Sequence, residues 1–265
     1  MDKEKIILYA NKLYQEALEA NSCLLILEQY QKFIADYHRE IQLSPAFYQI
    51  VHNSLVKSCF MEIAKLYESS QETVNIGSLL QECKNNIDFF PKYFDTITLK
   101  ADGHPKTVSV KYQYRLDPEE KPLVKERCKV QVMWHEFLNI KEPVLVDLTF
   151  PEIIEIYQKH LHGLNKVKKN IQNHRNKVYA HNDKNQLEHP EDNIEQNSLL
   201  YSDMRKLVDF ALKCTCSILA GLTGISPARS YSNINDWENT LKYVGLGIKY
   251  LDCNYEKQIS VFAED

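Results

Sequence analysis

Three residues in the middle of the chain have the types and spacing that phosphodiester cleavage requires. Arg175 and Asn176 are adjacent, and His181 follows them on the same segment. A histidine with a pKa near neutrality can take a proton from a ribose 2′-hydroxyl or return one to the leaving 5′-oxygen. A guanidinium can grip the non-bridging phosphate oxygens and stabilise the charge of the transition state. With Asn176 orienting the phosphate, the three are candidate catalytic residues for RNA cleavage that needs no metal.

A long helix is predicted to position these residues. Thr149 can cap its start, with Glu152 completing a capping box, and the helix is expected to run from there to about His181. Apolar residues recur at spacings of three and four and predict its buried stripe: Ile154, Tyr157, Leu161, Leu164, Ile171 and Val178. Arg175 and His181 would each lie about 60° from Val178, on opposite sides of it. They would therefore share one face of the helix.

The same helix is basic. From Lys159 to Lys177 its charged residues are all positive, which could guide a polyanion to the site: Lys159, Lys166, Lys168, Lys169, Arg175 and Lys177. Secondary candidates for RNA contact are Lys168, Lys169, His174, Lys177, Tyr179 and Asp183. The alternative interpretation is a solvated helix face with a chance pairing of arginine and histidine. The other histidines are weaker candidates, because His160 and His162 diverge on a helix.

Bulk properties limit the class of protein. The chain has 265 residues and a net charge of −4, so a protein that coats nucleic acid along its whole surface is disfavoured, whereas one basic patch remains compatible. Its seven cysteines are scattered without metal-ligand spacing, and the charged first residues, MDKEK, do not resemble a secretory signal peptide. Together these features predict reduced thiols in a cytoplasmic protein. We expect no metal, no cofactor and no membrane span.

The pattern along the chain predicts an all-α dominated fold, a four- to five-helix up-and-down bundle. Helices are expected over residues 4–41, 46–67, 75–90, 152–181, 198–222 and 236–251. Strict alternation over 107–116 predicts a strand, with weaker candidates at 128–133 and 144–148. We therefore expect one domain over 1–265, with 95–150 as a small β-containing insertion and 229–265 as a C-terminal extension carrying an extra helix.

Residues 175–181, RNKVYAH, resemble the signature of the HEPN superfamily, an arginine, a polar residue and a histidine four to six residues past the arginine. Three wider strings resemble its abortive-infection branch: VHNSLVKSCFMEIAKLYE (51–68), NIGSLLQECK (75–84) and HRNKVYAHND (174–183). Arg175 and His181 match the two defining positions, and Asn176 the polar one.

The resemblance implies a homodimer in which the helix 152–183 of each copy meets its partner across a two-fold axis and builds one cleft. It also implies a metal-independent endoribonuclease that leaves a 2′,3′-cyclic phosphate, used in toxin–antitoxin or phage-defence systems, with an antitoxin protein as a possible partner. Some members of the superfamily act without catalysis. A helical scaffold, or a dimer that binds nucleic acid or nucleotide, therefore remains the alternative.

Overall fold

The computed structural model describes residues 2–68, 70, 72–101, 104–117, 119–123, 130–131, 144–174 and 201–262. Within these ranges the chain is mainly helical, as predicted. The helices are α1 (Lys3–Asp36), α2 (His38–Ile41), α3 (Pro45–Leu66), α4 (Ile76–Asn85), α5 (Phe150–Gly163), α6 (Asn165–His174), α7 (Tyr201–Thr223) and α8 (Trp237–Phe262). Short 3-10 turns lie at Ile87–Phe89, soon after α4, and at Lys121–Leu123.

The bundle is built around α1, whose first turn is capped by the Asp2 carboxylate accepting from the Lys5 N–H at 2.7 Å. The helix packs most extensively against α3 and α7 and also contacts α4. Its fully buried apolar residues recur along one face: Ile6, Ala10, Leu13, Ala17, Ala20, Leu24 and Leu27. A buried polar contact ties α3 to α7, because the Tyr67 hydroxyl donates to the Leu207 carbonyl at 2.6 Å. The predicted fold class, an all-α dominated bundle, is confirmed.

The β segment consists of two small sheets. Strand β1 (Asp95–Ala101) pairs antiparallel with β2 (His104–Val110), while β5 (Val144–Leu148) lies between β3 (Tyr112–Leu116) and β4 (Val130–Gln131). The single strand predicted over 107–116 is therefore wrong, since the chain divides at Lys111. The physical reason is that the two halves have different hydrogen-bonding partners, β1 for one and β5 for the other.

The predicted helix over 152–181 begins where expected but is not continuous. The Glu152 carboxylate accepts from both the N–H and the hydroxyl of Thr149 at 2.7 Å, which confirms the start. The helix then breaks at Leu164, between α5 and α6. Gly163 directly precedes the break, and glycine is a poor helix former. Leu164 itself stays buried, so the apolar stripe continues from α5 into α6.

The last helix, α8, is longer than predicted and packs on a small cluster of its own. Leu241 is fully buried with Phe33 and Ile41, and Trp237 lies at the edge of this cluster. Arg39 also pairs with Asp252 of α8 at 2.7 Å. Over the part of the chain that the structure describes, no helix is long and apolar enough to cross a membrane.

Candidate functional site

The helix that leads to the predicted catalytic residues is anchored on the bundle up to its end. Ile171 is fully buried, and the side-chain amide of Gln172 donates to the Ala64 carbonyl of α3 at 2.7 Å. Ala64 lies in the last turn of α3, where carbonyls have no partner within their own helix. This hydrogen bond thus gives the Ala64 carbonyl a partner and holds the end of α6 against α3.

The lysines along α5 and α6 occupy the outer side of this anchored pair of helices. Lys159, Lys166 and Lys169 are exposed, whereas Lys168 is half-buried and burial lowers the pKa of its ammonium. Within the part of the chain that the structure describes, none of these four lysines forms an ion pair with a carboxylate. Their charge is therefore available to an anion approaching this surface.

The signature residues continue directly from α6. His174 is its last residue, while Arg175, Asn176, Lys177, Tyr179, His181 and Asp183 lie outside the described residues. The roles given to these residues stay predictions. So does the dimer through 152–183, of which the structure describes one copy up to His174.

A buried cluster of ionisable residues, which the sequence did not indicate, joins the β segment to the bundle. We call Glu120, Tyr114, His160 and Lys213 the Glu120 cluster. The Glu120 side chain is fully buried. Its Oε1 accepts from the Tyr114 hydroxyl at 2.9 Å and lies 3.1 Å from His160 Nδ1. Its Oε2 accepts from Lys213 Nζ at 2.6 Å and from the Asp117 N–H at 2.9 Å.

The Lys213 ammonium in this cluster is also fully hydrogen-bonded. Besides Glu120 it donates to Asp117 Oδ2 at 2.9 Å and to the Arg115 carbonyl at 2.7 Å, which uses all three of its N–H groups. It also lies 4.4 Å from the centre of the Tyr114 ring, a cation–π distance.

This environment determines the ionisation of Glu120. Burial alone would raise the pKa of the carboxyl, but the hydrogen bonds from His160 and Lys213, the charge of Lys213 and the Asp117 N–H outweigh it and lower the pKa to about 2. Each carboxylate oxygen has two partners, so all four acceptor sites are occupied. No acceptor site is left for a substrate. The cluster is a structural anchor that fixes the connection after β3 to α5 and α7.

The residues present do not offer a metal site in this region. Within the described ranges, no three His, Cys, Asp or Glu side chains come together as a metal ion would require. In the Glu120 cluster the Lys213 ammonium supplies the positive charge.

A cleft of about 530 Å³ opens beside the Glu120 cluster, between α1, β3 and α7. Its polar lining residues are Asn21, Tyr114, Arg115, Asp117, Arg205, Asp209, Lys213, Ser217, Arg229 and Ser230. Arg205 is neutralised in place, because its guanidinium forks onto Glu28 with N–O distances of 3.1 and 2.8 Å and donates to Asn21 Oδ1 at 2.6 Å. Arg115 and Arg229 are exposed and pair with no carboxylate in the described part of the chain. Neither guanidinium group is therefore bound to a carboxylate, while the Arg229 side chain hydrogen-bonds Cys216 and the side chains of Asp117 and Asp209 line the same cleft.

Sequence patterns could not have found the cluster or the cleft. From the sequence His160 is a weak candidate because it diverges from His162 on a helix, and Glu120 follows a turn with no periodic signal. Their contacts join residues 40 positions apart, for Glu120 and His160, and 93 apart, for Glu120 and Lys213.

Comparison with known proteins identifies a family. The model of the family described as AbiU2, within the HEPN group, matches residues 3–239. The match includes the bundle, the β segment and the whole of residues 174–183. No curated protein matches this chain, and no solved structure does.

Proposed function

The chain belongs to the AbiU2 family of HEPN proteins, and from this premise we propose that it is a metal-independent endoribonuclease acting in the cytoplasm. The observation that carries the proposal is that the family match covers nearly the whole chain, the arginine–asparagine–histidine signature included. Arg175 would hold the phosphate, Asn176 would orient it, and His181 would move the proton. We further propose a role as a toxin or phage-defence effector, with an antitoxin as a possible partner.

The reaction balances without a metal or a cofactor. The ribose 2′-oxygen loses its proton and attacks the adjacent phosphorus, while the bond from phosphorus to the 5′-oxygen breaks. The products are a 2′,3′-cyclic phosphate and a 5′-hydroxyl that has gained a proton. His181 can carry that proton, and the Arg175 guanidinium can stabilise the extra negative charge on the non-bridging oxygens.

Substrate binding in this proposal uses the basic surface of α5 and α6. The ammonium groups of Lys166 and Lys169 are exposed and unpaired within the described structure, and Lys168 lies between them. His174, Lys177, Tyr179 and Asp183 would complete the RNA contacts. Two copies meeting through 152–183 would place two basic helices beside one cleft, where phosphate binding would weaken with salt.

The test is cleavage of a labelled RNA in EDTA by the wild type and by His181→Ala and Arg175→Ala. We expect each substitution to lower the rate by roughly 100-fold or more. His162→Ala is the matched control, because His162 is exposed on α5 and outside the signature. The products should carry a cyclic phosphate and a 5′-hydroxyl. Equal rates for all four proteins would contradict the assigned roles.

In cells, overexpression of the wild type should arrest growth, and either His181→Ala or Arg175→Ala should relieve the arrest. A site built from two copies of the chain leads to a further prediction. Chains carrying His181→Ala mixed with chains carrying Arg175→Ala should regain part of the activity, because a mixed pair keeps one intact arginine and one intact histidine.

A second candidate function is favoured by the cleft, namely a non-catalytic scaffold or dimer that binds nucleotide or nucleic acid. Salt-sensitive binding of RNA or nucleotide with no cleavage at saturating protein would select it. In that case Arg115→Gln and Arg229→Gln should weaken binding, because neither guanidinium group at the cleft pairs with a carboxylate in the described structure.

A further inference from the structure

Lys168 differs from the exposed lysines of α5 and α6 in its position on the helix. Leu164 and Gln172, one turn before it and one turn after it, each lie about 40° from it around the helix axis. Leu164 is buried, and the Gln172 side chain donates to the Ala64 carbonyl of α3. The Lys168 side chain is therefore flanked on both sides by residues that contact the bundle, whereas Lys169 lies about 100° away and is exposed.

The ammonium group of Lys168 has no counter-charge among the described residues. It forms no ion pair and no hydrogen bond with any of them, and burial lowers its pKa. A charge that is withdrawn from water without a partner costs free energy. A lysine at this position therefore destabilises the free protein, unless an anion from outside the described part of the chain neutralises it.

Lys213 shows how the same chain accommodates a lysine whose partners are all internal. Its ammonium donates to the Glu120 carboxylate at 2.6 Å, to the Asp117 carboxylate at 2.9 Å and to the Arg115 carbonyl at 2.7 Å. All three of its N–H groups thus have acceptors. The three N–H groups of Lys168 have no acceptor in the described structure, which leaves them for a ligand.

The surroundings of Lys168 favour a phosphodiester chain as that ligand. Lys159, Lys166 and Lys169 are exposed on the same two helices and pair with no carboxylate in the part of the chain that the structure describes. Several uncompensated positive charges along one pair of helices match a ligand that carries one negative charge per unit, as a polynucleotide does. A single carboxylate from a protein partner would neutralise Lys168 and leave the other three lysines unpaired.

We infer that Lys168 is a dedicated phosphate-binding residue, whose ammonium takes its counter-charge from a phosphodiester of the bound RNA. The inference rests on the proposed function for the identity of the ligand, and it adds the residue of α6 that contributes most to binding. A hydrogen bond from a half-buried ammonium to a phosphate oxygen is screened less by salt than one from the exposed Lys169. The charge that destabilises the free protein should therefore stabilise the complex.

The stability of the ligand-free protein gives the first test. Methionine resembles lysine in helix propensity and in its flexible stem but carries no charge. We expect Lys168→Met to raise the thermal midpoint by roughly 2 °C or more, and the matched control Lys169→Met to change it by less than about 1 °C. A lower midpoint for Lys168→Met would overturn the inference, because a carboxylate of this chain or of a second copy would then already neutralise the ammonium.

RNA binding gives the second test, in a His181→Ala background that separates binding from cleavage. For a mixed-sequence single-stranded RNA we expect Lys168→Met to raise the dissociation constant by roughly 10-fold or more, and Lys169→Met by only about 2- to 3-fold. Lys168→Met should also reduce the slope of log affinity against log salt by about one, whereas Lys168→Arg, which keeps the charge, should retain the slope. Equal losses for Lys168→Met and Lys169→Met would contradict the inference.

Thermal unfolding with ligand in the same background identifies the anion. With saturating RNA the order of the midpoints should reverse, so that the protein with Lys168 becomes more stable than Lys168→Met. Reversal by inorganic phosphate alone, with no further effect of RNA, would assign the position to a free phosphate and overturn the inference. Cleavage is measured in none of these experiments. A wild-type protein that binds RNA through Lys168 without cutting it would therefore refute the ribonuclease proposal alone.

Discussion

Replacing Glu120 by glutamine tests the Glu120 cluster with the smallest change of shape. The substitution removes one negative charge from a fully buried site and leaves the Lys213 ammonium with Asp117 as its remaining carboxylate partner. Breaking a buried ion pair by removing one member is strongly destabilising, because the other charge stays desolvated. We therefore expect Glu120→Gln to lower the free energy of unfolding at pH 7.

The magnitude follows from the ionisation of Glu120. Lowering its pKa from 4.5 to about 2 on folding corresponds to roughly 3 kcal/mol of stability from the ionised carboxylate. Because the folded-state pKa is the lower one, this contribution is present above pH 4.5 and is lost as the pH falls towards 2. The stability difference between wild type and Glu120→Gln should thus be about 3 kcal/mol at pH 7 and smaller at pH 3.5.

Urea unfolding followed by circular dichroism measures these differences at both pH values. Glu119→Gln is the matched control, since the neighbouring carboxylate is 54% exposed and its oxygens lie as far as 3.9 Å from His160 Nε2 and 4.0 Å from Lys206 Nζ. It should change stability by less than about 0.5 kcal/mol. If Glu120→Gln behaves like Glu119→Gln, or if its cost does not change with pH, the reasoning about the cluster is wrong.

Two further predictions concern packing and burial. Gly221→Ala should cost about 1–3 kcal/mol and lower the thermal midpoint, because the new Cβ would collide with the Phe150 ring. Gly163→Ala, whose Cβ would have no heavy atom within 4 Å, should be neutral or slightly stabilising; equal shifts would contradict the packing argument. In the native protein iodoacetamide should label exposed Cys253 well before Cys59, whose thiol pKa burial raises to about 12. Peptide mass spectrometry gives the two rates, which should converge in denaturant.

Local chemistry made much of the helical framework readable from the sequence. The start of α5 was predictable because Thr149 and Glu152 are three residues apart and satisfy each other within one turn. The buried stripe from Ile154 to Ile171 was predictable because one period of 3.6 residues decides which side chains face the core. Residues 144–148 form a strand as predicted. The family was recognisable from short strings, and the match over 3–239 confirmed it.

Tertiary structure decided what depends on residues far apart in the chain. The alternation over 107–116 could not reveal that its halves pair with β1 and β5, since a strand's partner is not encoded in its own period. Glu120 is ionised in the core only because α7 supplies Lys213 and α5 supplies His160. The sequence by itself determined where most of the helical segments lie and which residues carry the signature, whereas the break at Leu164 appeared only in the structure. Folding decided which charges are buried against each other and which, like those of Lys166 and Lys169, remain open to solvent, because burial is a property of the packed bundle.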